Sequence, residues 1–216
     1  LSGTKMDKLL GFIQGQCEKY HIDESHGLKH AKGSWVRASE IIGTLQEVKD
    51  EEKRVALYAA ALHDMCDSKY CPEKEASEDI QEFLLELEVS EEEVEAVLRI
   101  ITTMSYSKLK NSMQDGNILY PEHGKWQRAY HIARNADLLE AYTVARCVLY
   151  NKHIFPGKTE DEHWARAEQL FQERVFRYAP DGWINLPGAL AMVPALEQEA
   201  RRCLEQRLLD WPEVHM

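Results

Sequence analysis

Apolar residues recur at helical spacing along almost the whole chain. Two such runs are Met6, Leu9, Leu10, Ile13 and Val94, Val97, Leu98, Ile101. Residues three and four apart share one face of an α-helix, whereas a half-buried strand alternates with a period of two, and no convincing period-two run is present. The sequence therefore predicts an all-α fold. We expect about eight helices, at about 4–19, 26–47, 50–66, 74–88, 90–106, 126–150, 160–178 and 188–209.

The length of the chain and the absence of a linker-like stretch favour one domain. The 216 residues are enough to bury one sizeable core, and no stretch rich in Pro, Gly or Ser marks a linker. The polar stretch at 108–124 contains Gly116, Pro121 and Gly124 and is predicted to be a long loop. We expect a single domain over residues 1–216.

Composition argues against several classes of partner. The formal net charge is −11, and a non-specific nucleic-acid binder needs an excess of Lys and Arg. No apolar run approaches the roughly 20 residues of a membrane span. The five cysteines are scattered and include no CxxC pair, so neither disulfides nor a structural zinc site is expected. We expect a soluble, cytoplasmic protein that contacts neither nucleic acid nor membrane.

Two adjacent polar residues, His63 and Asp64, follow a helix of small apolar residues that begins near Val55. Burying an imidazole and a carboxylate there is costly unless something compensates the charge. A divalent cation compensates it and takes both side chains as ligands.

Two other predicted helices offer ligands of the same kind. His26 and His30 are four residues apart, hence on one helical face, and Asp137 lies within an otherwise apolar helix from Ile132 to Ala141. Imidazole and carboxylate ligands from helices far apart in sequence suit a transition-metal site.

These segments, in this order, resemble the HD-domain phosphohydrolases, whose pattern is a His, a His-Asp pair and a later Asp on separate helices. The stretch 62–70 (LHDMCDSKY) is similar to the HDxxDxK(F/Y) signature of small bacterial members that act on nucleotides. The stretch 104–108 (MSYSK) is similar to their SFK-type element. The resemblance covers about residues 20–150, so the predicted helices at about 160–209 are an addition to that metal-binding core.

The resemblance implies a metal held by His30, His63, Asp64 and Asp137. It implies a divalent ion, Mn²⁺, Mg²⁺, Ni²⁺ or Fe²⁺, because mixed nitrogen and oxygen ligation does not select sharply among them. His26 is the alternative to His30. In the preferred interpretation His26 faces substrate or solvent at the start of the helix.

The resemblance also implies roles around the metal. Asp67, three residues after Asp64, is expected to orient or deprotonate the attacking water, with a helix-end surface residue as the alternative. Lys69, Lys108 and Arg134 are candidate phosphate contacts. The implied reaction is hydrolysis of a phosphate ester or phosphoanhydride in a small, nucleotide-like substrate.

One segment departs from the family pattern. Small members usually read Asp-Ala-Asp-Arg-Leu-Asp where this chain has Asn135-Ala136-Asp137-Leu138-Leu139-Glu140. The metal-binding Asp is kept, but the Arg and the neighbouring acids are absent. The exact substrate is therefore left open.

Two alternatives stay open. Some HD-fold proteins are dinuclear-iron oxygenases that use two further histidines, and the interval before Asp137 offers His123 and His131, which the predicted loop and helix do not bring to one face. A non-catalytic nucleotide sensor is the other alternative. Oxygen consumption with two bound irons would indicate the first, and binding without turnover would indicate the second.

Overall fold

The computed structural model describes residues 1–216 and is all-α, as predicted; its only β feature is an isolated bridge between Gln114 and Asn117. The α-helices are α1 Gly3–Tyr20, α2 Leu28–Gly43, α3 Asp50–Leu62, α4 Glu73–Glu86, α5 Glu91–Ile101, α6 Tyr106–Asn111, α7 Gln127–Glu140, α8 Val144–Ile154, α9 Glu160–Glu173, α10 Pro187–Leu190 and α11 Val193–Gln206. Short 3₁₀ segments lie at Glu24–His26, His63–Cys66, Gly124–Trp126 and Val175–Arg177. No helix is both long and apolar enough to cross a membrane.

Several predicted helices are divided in the structure, which explains the larger number. The helix predicted at 126–150 is α7 and α8, separated by Ala141, Tyr142 and Thr143. This break contains neither Gly nor Pro. Tyr142 is buried there, near the ring of Phe176, so packing with the C-terminal part of the chain overrides local helix propensity.

Two other boundaries differ near the candidate site. The helix predicted at 50–66 ends as an α-helix at Leu62 and continues as a 3₁₀ turn through Cys66. The predicted loop starts later than residue 108, because α6 runs to Asn111, and Ser105 caps it by accepting a hydrogen bond from the Lys108 N–H. The loop itself is confirmed from residue 112 to 123.

The helices α2, α3 and α7 pack directly against one another and form the centre of the molecule. The small residues of α3, Ala56, Ala59, Ala60 and Ala61, are almost fully buried and let its neighbours approach closely. On α2, a side chain at Gly33 would overlap the carboxylate of Glu140, so glycine permits the contact with α7. This close packing brings together the helices that carry the predicted ligands.

The C-terminal helices add a second packed layer. α9 lies against α8, and α11 contacts both. The aromatic residues Trp164, Phe171 and Phe176 are buried, which confirms that they belong to the core, and Phe171 and Phe176 meet edge to face at 5.5 Å. All five cysteines are free thiols.

Candidate metal centre

Four side chains from three parts of the chain converge at one point. His30 is buried on α2, His63 and Asp64 lie on the 3₁₀ turn after α3, and Asp137 is near the end of α7. The Nε2 atoms of His30 and His63 are 3.1 Å apart. Asp64 Oδ2 lies 3.1 and 3.3 Å from these two nitrogens, and Asp137 Oδ1 lies 3.3 and 3.0 Å from them.

The backbone fixes the orientation of the His63 ring. Its Nδ1 lies 2.7 Å from the carbonyl oxygen of Ala60, an atom that only accepts hydrogen bonds, so Nδ1–H is the donor. In the neutral ring Nε2 then carries the lone pair and faces the cluster. A metal-binding histidine is held in this way by a hydrogen bond from its other nitrogen.

Two buried polar atoms of the cluster have no hydrogen-bond partner. They are His30 Nδ1 and Asp64 Oδ2. The contacts of Asp64 Oδ2 with the imidazoles are short, but they lack the alignment of a hydrogen bond. A buried acceptor without a donor costs about 1–3 kcal/mol, so the cluster is incomplete as a purely structural network. His30, His63 and Asp137 lie close enough together to hold one metal ion, and Asp64 Oδ2 lies within 3.3 Å of both imidazole nitrogens. Two imidazoles and two carboxylates are ligands that a divalent cation accepts.

The charges within the cluster shift the pKa values strongly. Burial alone lowers the pKa of His63, but the carboxylates of Asp64 and Asp137 raise it well above its ordinary value. Burial alone raises the pKa of Asp64 and of Asp137, but the charge of His63 and the short contacts with the imidazoles hold both well below their ordinary range. Without a metal ion, a proton on His63 therefore balances part of the charge of the two ionised carboxylates, and a divalent cation would replace that proton.

A cavity of about 320 Å³ opens beside the cluster. His63, Asp64 and Asp137 line one side of it. The structure also brings His26, Asp67, Lys69 and Lys108 to its wall, as the sequence predicted for residues near a substrate.

Asp67 lies immediately after the 3₁₀ turn rather than on a continuing helix. Its Oδ1 accepts a hydrogen bond from the Lys69 N–H at 2.9 Å. Burial raises the pKa of the Asp67 carboxyl. A carboxylate of raised basicity on the wall of the cavity is suited to accept a proton.

The two lysines differ in how they are held. Lys69 Nζ is 3.9 Å from Asp67 Oδ2, and 53% of its side chain is exposed. Lys108 Nζ donates to Glu73 Oε2 at 3.1 Å and to the carbonyl oxygen of Thr102 at 2.8 Å. Each lysine therefore has a nearby carboxylate that offsets part of its charge.

His26 is outside the four-residue cluster. The centroids of the His26 and His30 rings are 6.3 Å apart. His26 Nδ1 lies 2.8 Å from Ser25 Oγ and 3.1 Å from the Tyr70 hydroxyl oxygen, and both hydroxyls donate to Asp23. These hydroxyl oxygens can accept from Nδ1–H, which leaves Nε2 without a partner in the protein. Burial lowers the pKa of His26 to about 4, so the ring is neutral.

Arg134 is not a phosphate contact in this structure. It is 1% exposed and does not line the cavity. Its guanidinium donates to the carbonyl oxygen of Trp183 and, at 2.8 Å, to Asn185 Oδ1, and it stacks over Tyr120. The prediction is corrected: Arg134 ties α7 to the segment before α10.

The histidines considered for a dinuclear site also lie elsewhere. His123 stacks on Tyr130 at 4.5 Å and bonds to Thr103 Oγ1 at 3.1 Å. His131 Nδ1 lies 3.1 Å from a terminal nitrogen of Arg134. Neither histidine lines the cavity.

Sequence reasoning missed two cavity residues, Arg146 on α8 and Arg174 after α9. Neither belongs to a recognisable motif. The available signal was weak: each is an arginine in a half-buried helical region of a strongly acidic chain.

Comparison with known proteins supports the fold alone. No protein-family model matches the sequence, and no match was found among curated proteins. Among solved structures, the crystal structure of a structural-genomics target from Lactobacillus plantarum is similar, with a TM-score of 0.67. The two sequences are 20% identical, and the match covers 95% of this chain and 96% of that chain. The Lactobacillus protein therefore has the same overall helical arrangement.

Proposed function

We propose that this chain is a metal-dependent phosphohydrolase of the HD-domain type, acting on a phosphate ester or phosphoanhydride of a small, nucleotide-like molecule. One observation carries the proposal. Each of the two imidazole Nε2 atoms, of His30 and His63, lies within 3.3 Å of a carboxylate oxygen of Asp64 and of one of Asp137. This cluster lies beside a cavity that is lined by cationic side chains.

His30, His63, Asp64 and Asp137 are the residues that would hold the divalent cation. Such an ion polarises a phosphoryl oxygen and lowers the pKa of a bound water from ~15.7 towards ~7. The protein supplies neutral imidazole nitrogens and two ionised carboxylates for this purpose, and the hydrogen bond from His63 Nδ1 to Ala60 keeps one ring in place.

The remaining cavity residues act on water and substrate. Asp67 accepts a proton from the attacking water or orients it, since its carboxyl lies half-buried on the cavity wall and has a raised pKa. Lys69 and Lys108 contact the phosphate oxygens. His26 Nε2 has no partner in the protein and is available to a substrate atom.

The test couples metal analysis to a phosphate-release screen. The purified protein is loaded in turn with Mn²⁺, Mg²⁺, Ni²⁺ and Fe²⁺ and offered nucleotides and sugar phosphates, and release of orthophosphate and pyrophosphate is measured. We expect about one metal ion per four-ligand cluster and turnover of at least one nucleotide. Nucleotide binding without turnover under every metal would instead support a sensor.

The oxygenase alternative gains no support from the position of its candidate ligands. His123 and His131 contact Tyr130 and Arg134 rather than the four-residue cluster. The phosphohydrolase is thus the function that the cavity favours.

A further inference from the structure

Two arginines on the cavity wall have no acidic partner. Arg146 is on α8 and Arg174 directly follows α9, and neither has a carboxylate oxygen within 4.0 Å of its guanidinium nitrogens. The chain has 37 acidic and 26 basic side chains, yet no acidic side chain pairs with either of these two arginines. Both are half-buried, which makes an unpaired charge costly.

Each of these arginines is anchored by one nitrogen and leaves its other two free. Arg146 Nε donates to the carbonyl oxygen of Ser25 at 2.7 Å. Arg174 Nε donates to the Tyr178 hydroxyl at 2.6 Å, and its guanidinium lies over the ring of Tyr106 at 4.1 Å from the centroid. The terminal nitrogens of both make no hydrogen bond within the protein. A planar guanidinium fixed in this way presents a two-pronged donor that matches a phosphate group.

The two arginines lie on the wall of one cavity. Arg146 and Arg174 line it together with Cys147, the residue after Arg146 on α8, whereas Arg166 does not line it. The lysines do not compete for the same role, because Lys69 and Lys108 each face a carboxylate. The arginines therefore carry the positive charge of the cavity that no acidic side chain offsets.

We propose that Arg146 and Arg174 bind a second phosphate group, beyond the one attacked at the metal cluster. The substrate is then a phosphoanhydride, with two or more linked phosphates, rather than a phosphomonoester. This inference rests on the proposed function, because it assigns the attacked phosphate to the metal cluster. Leu170 and Tyr106, which line the cavity near Arg174 and are partly accessible, provide an apolar surface for the organic part of the substrate.

The probe is methylenediphosphonate, a diphosphate analogue that cannot be hydrolysed, with orthophosphate as the single-phosphate comparison. Binding is measured by calorimetry at a fixed Mg²⁺ concentration for wild type, Arg146→Gln and Arg174→Gln. Arg166→Gln is the matched control, because Arg166 is on α9, donates by its Nε to Asn151 Oδ1 and does not line the cavity. Chelation of Mg²⁺ in solution is the same for every variant and cancels in the comparison.

We expect wild type to bind methylenediphosphonate more tightly than orthophosphate. Arg146→Gln and Arg174→Gln should each weaken the diphosphonate by about 10- to 100-fold, the range for losing hydrogen bonds to a charged group. They should weaken orthophosphate less, and Arg166→Gln should change neither probe by more than about twofold.

Equal affinities in the two cavity variants and in Arg166→Gln would overturn the inference. So would a wild type that binds orthophosphate as tightly as the diphosphonate. Mn²⁺ binding, measured separately in the same variants, reports on the four-ligand cluster. Intact metal binding together with phosphate release would leave the phosphohydrolase standing even if the arginine site fails.

Discussion

Two buried polar clusters share the helix α7, and they differ in how completely their hydrogen bonds are made. Asn135 donates from Nδ2 to the carbonyl oxygen of His131 at 2.7 Å and to Asn185 Oδ1 at 2.8 Å. Its Oδ1 accepts from the backbone N–H groups of Asn185 at 2.9 Å and Leu186 at 3.2 Å. Every polar atom of this amide is used. The cluster around Asp137, less than one turn away, leaves Asp64 Oδ2 without a donor.

The difference separates a structural role from a ligand-binding one. A buried network that is fully hydrogen-bonded stabilises a single arrangement of the chain. A buried network with unused acceptors and adjacent carboxylates is stable only when something else supplies the missing positive charge. Asn135 belongs to the first kind and Asp137 to the second, although both are polar residues in the same apolar helix.

The largest effect is expected when the incomplete cluster is disrupted at Asp64. Asp64→Ala removes a carboxylate that we assign to the metal, so it should abolish both metal content and hydrolysis while the protein stays folded. Metal analysis, phosphate release and circular dichroism on one preparation measure all three. Asp79→Ala is the control, since Asp79 accepts from Gln16 and Lys19 away from the cavity. Wild-type activity in Asp64→Ala would refute the site.

The next largest effect is expected at Asp67, beside the same cluster, where a substitution separates proton transfer from metal binding. Asp67→Asn keeps the size of the side chain and removes the charge that accepts a proton. General-base assistance is worth about 10² to 10⁴ in rate, and the loss should appear in kcat with little change in KM. Metal content should not change. A kcat within about twofold of wild type would reduce Asp67 to a surface residue at the end of a 3₁₀ turn.

A smaller effect, on stability rather than activity, is expected at Asn135, whose amide is fully hydrogen-bonded. Asn135→Ala leaves the backbone N–H groups of Asn185 and Leu186 without their side-chain acceptor. Each unsatisfied buried group costs about 1–3 kcal/mol, so we expect the free energy of unfolding to fall by about 2–4 kcal/mol. Urea denaturation of metal-free protein measures it. If Asp64→Ala destabilises the metal-free protein more than Asn135→Ala does, the assignment of a structural role to Asn135 and a ligand-binding role to Asp64 is wrong.

The sequence predicted the all-α fold because helical periodicity is a local pattern. The set of His30, His63, Asp64 and Asp137 was instead implied by the resemblance of their segments, in that order, to the HD-domain phosphohydrolases. The sequence did not distinguish Arg134 from Asp137, because Arg134 donates to Asn185, some 50 residues away along the chain. Such a contact leaves no local pattern.

The sequence did not predict the two cavity arginines, Arg146 and Arg174, for a related reason. Arg146 reaches the cavity because α7 ends at Glu140 and a new helix begins at Val144, and that break contains no Gly or Pro to predict it. Arg174 enters through the packing of α9 on α8. Both positions depend on contacts between distant segments, whereas the proposed metal ligands lie in short segments that resemble a known motif.

The smallest effect is expected at His26, which is hydrogen-bonded to neighbouring hydroxyls and lies near the four-residue cluster. Its Nδ1 is held by Ser25 and Tyr70, as in a complete network, and its ring is 6.3 Å from that of His30. His26→Ala should therefore lower metal affinity by less than about tenfold, because loss of an outer-shell hydrogen bond to a ligand costs about 10- to 100-fold and His26 makes none. His30→Ala removes a ligand and should cost more than that range. Titration of both variants with Mn²⁺ compares them directly, and equal loss of metal would mean that His26, not only His30, binds the ion.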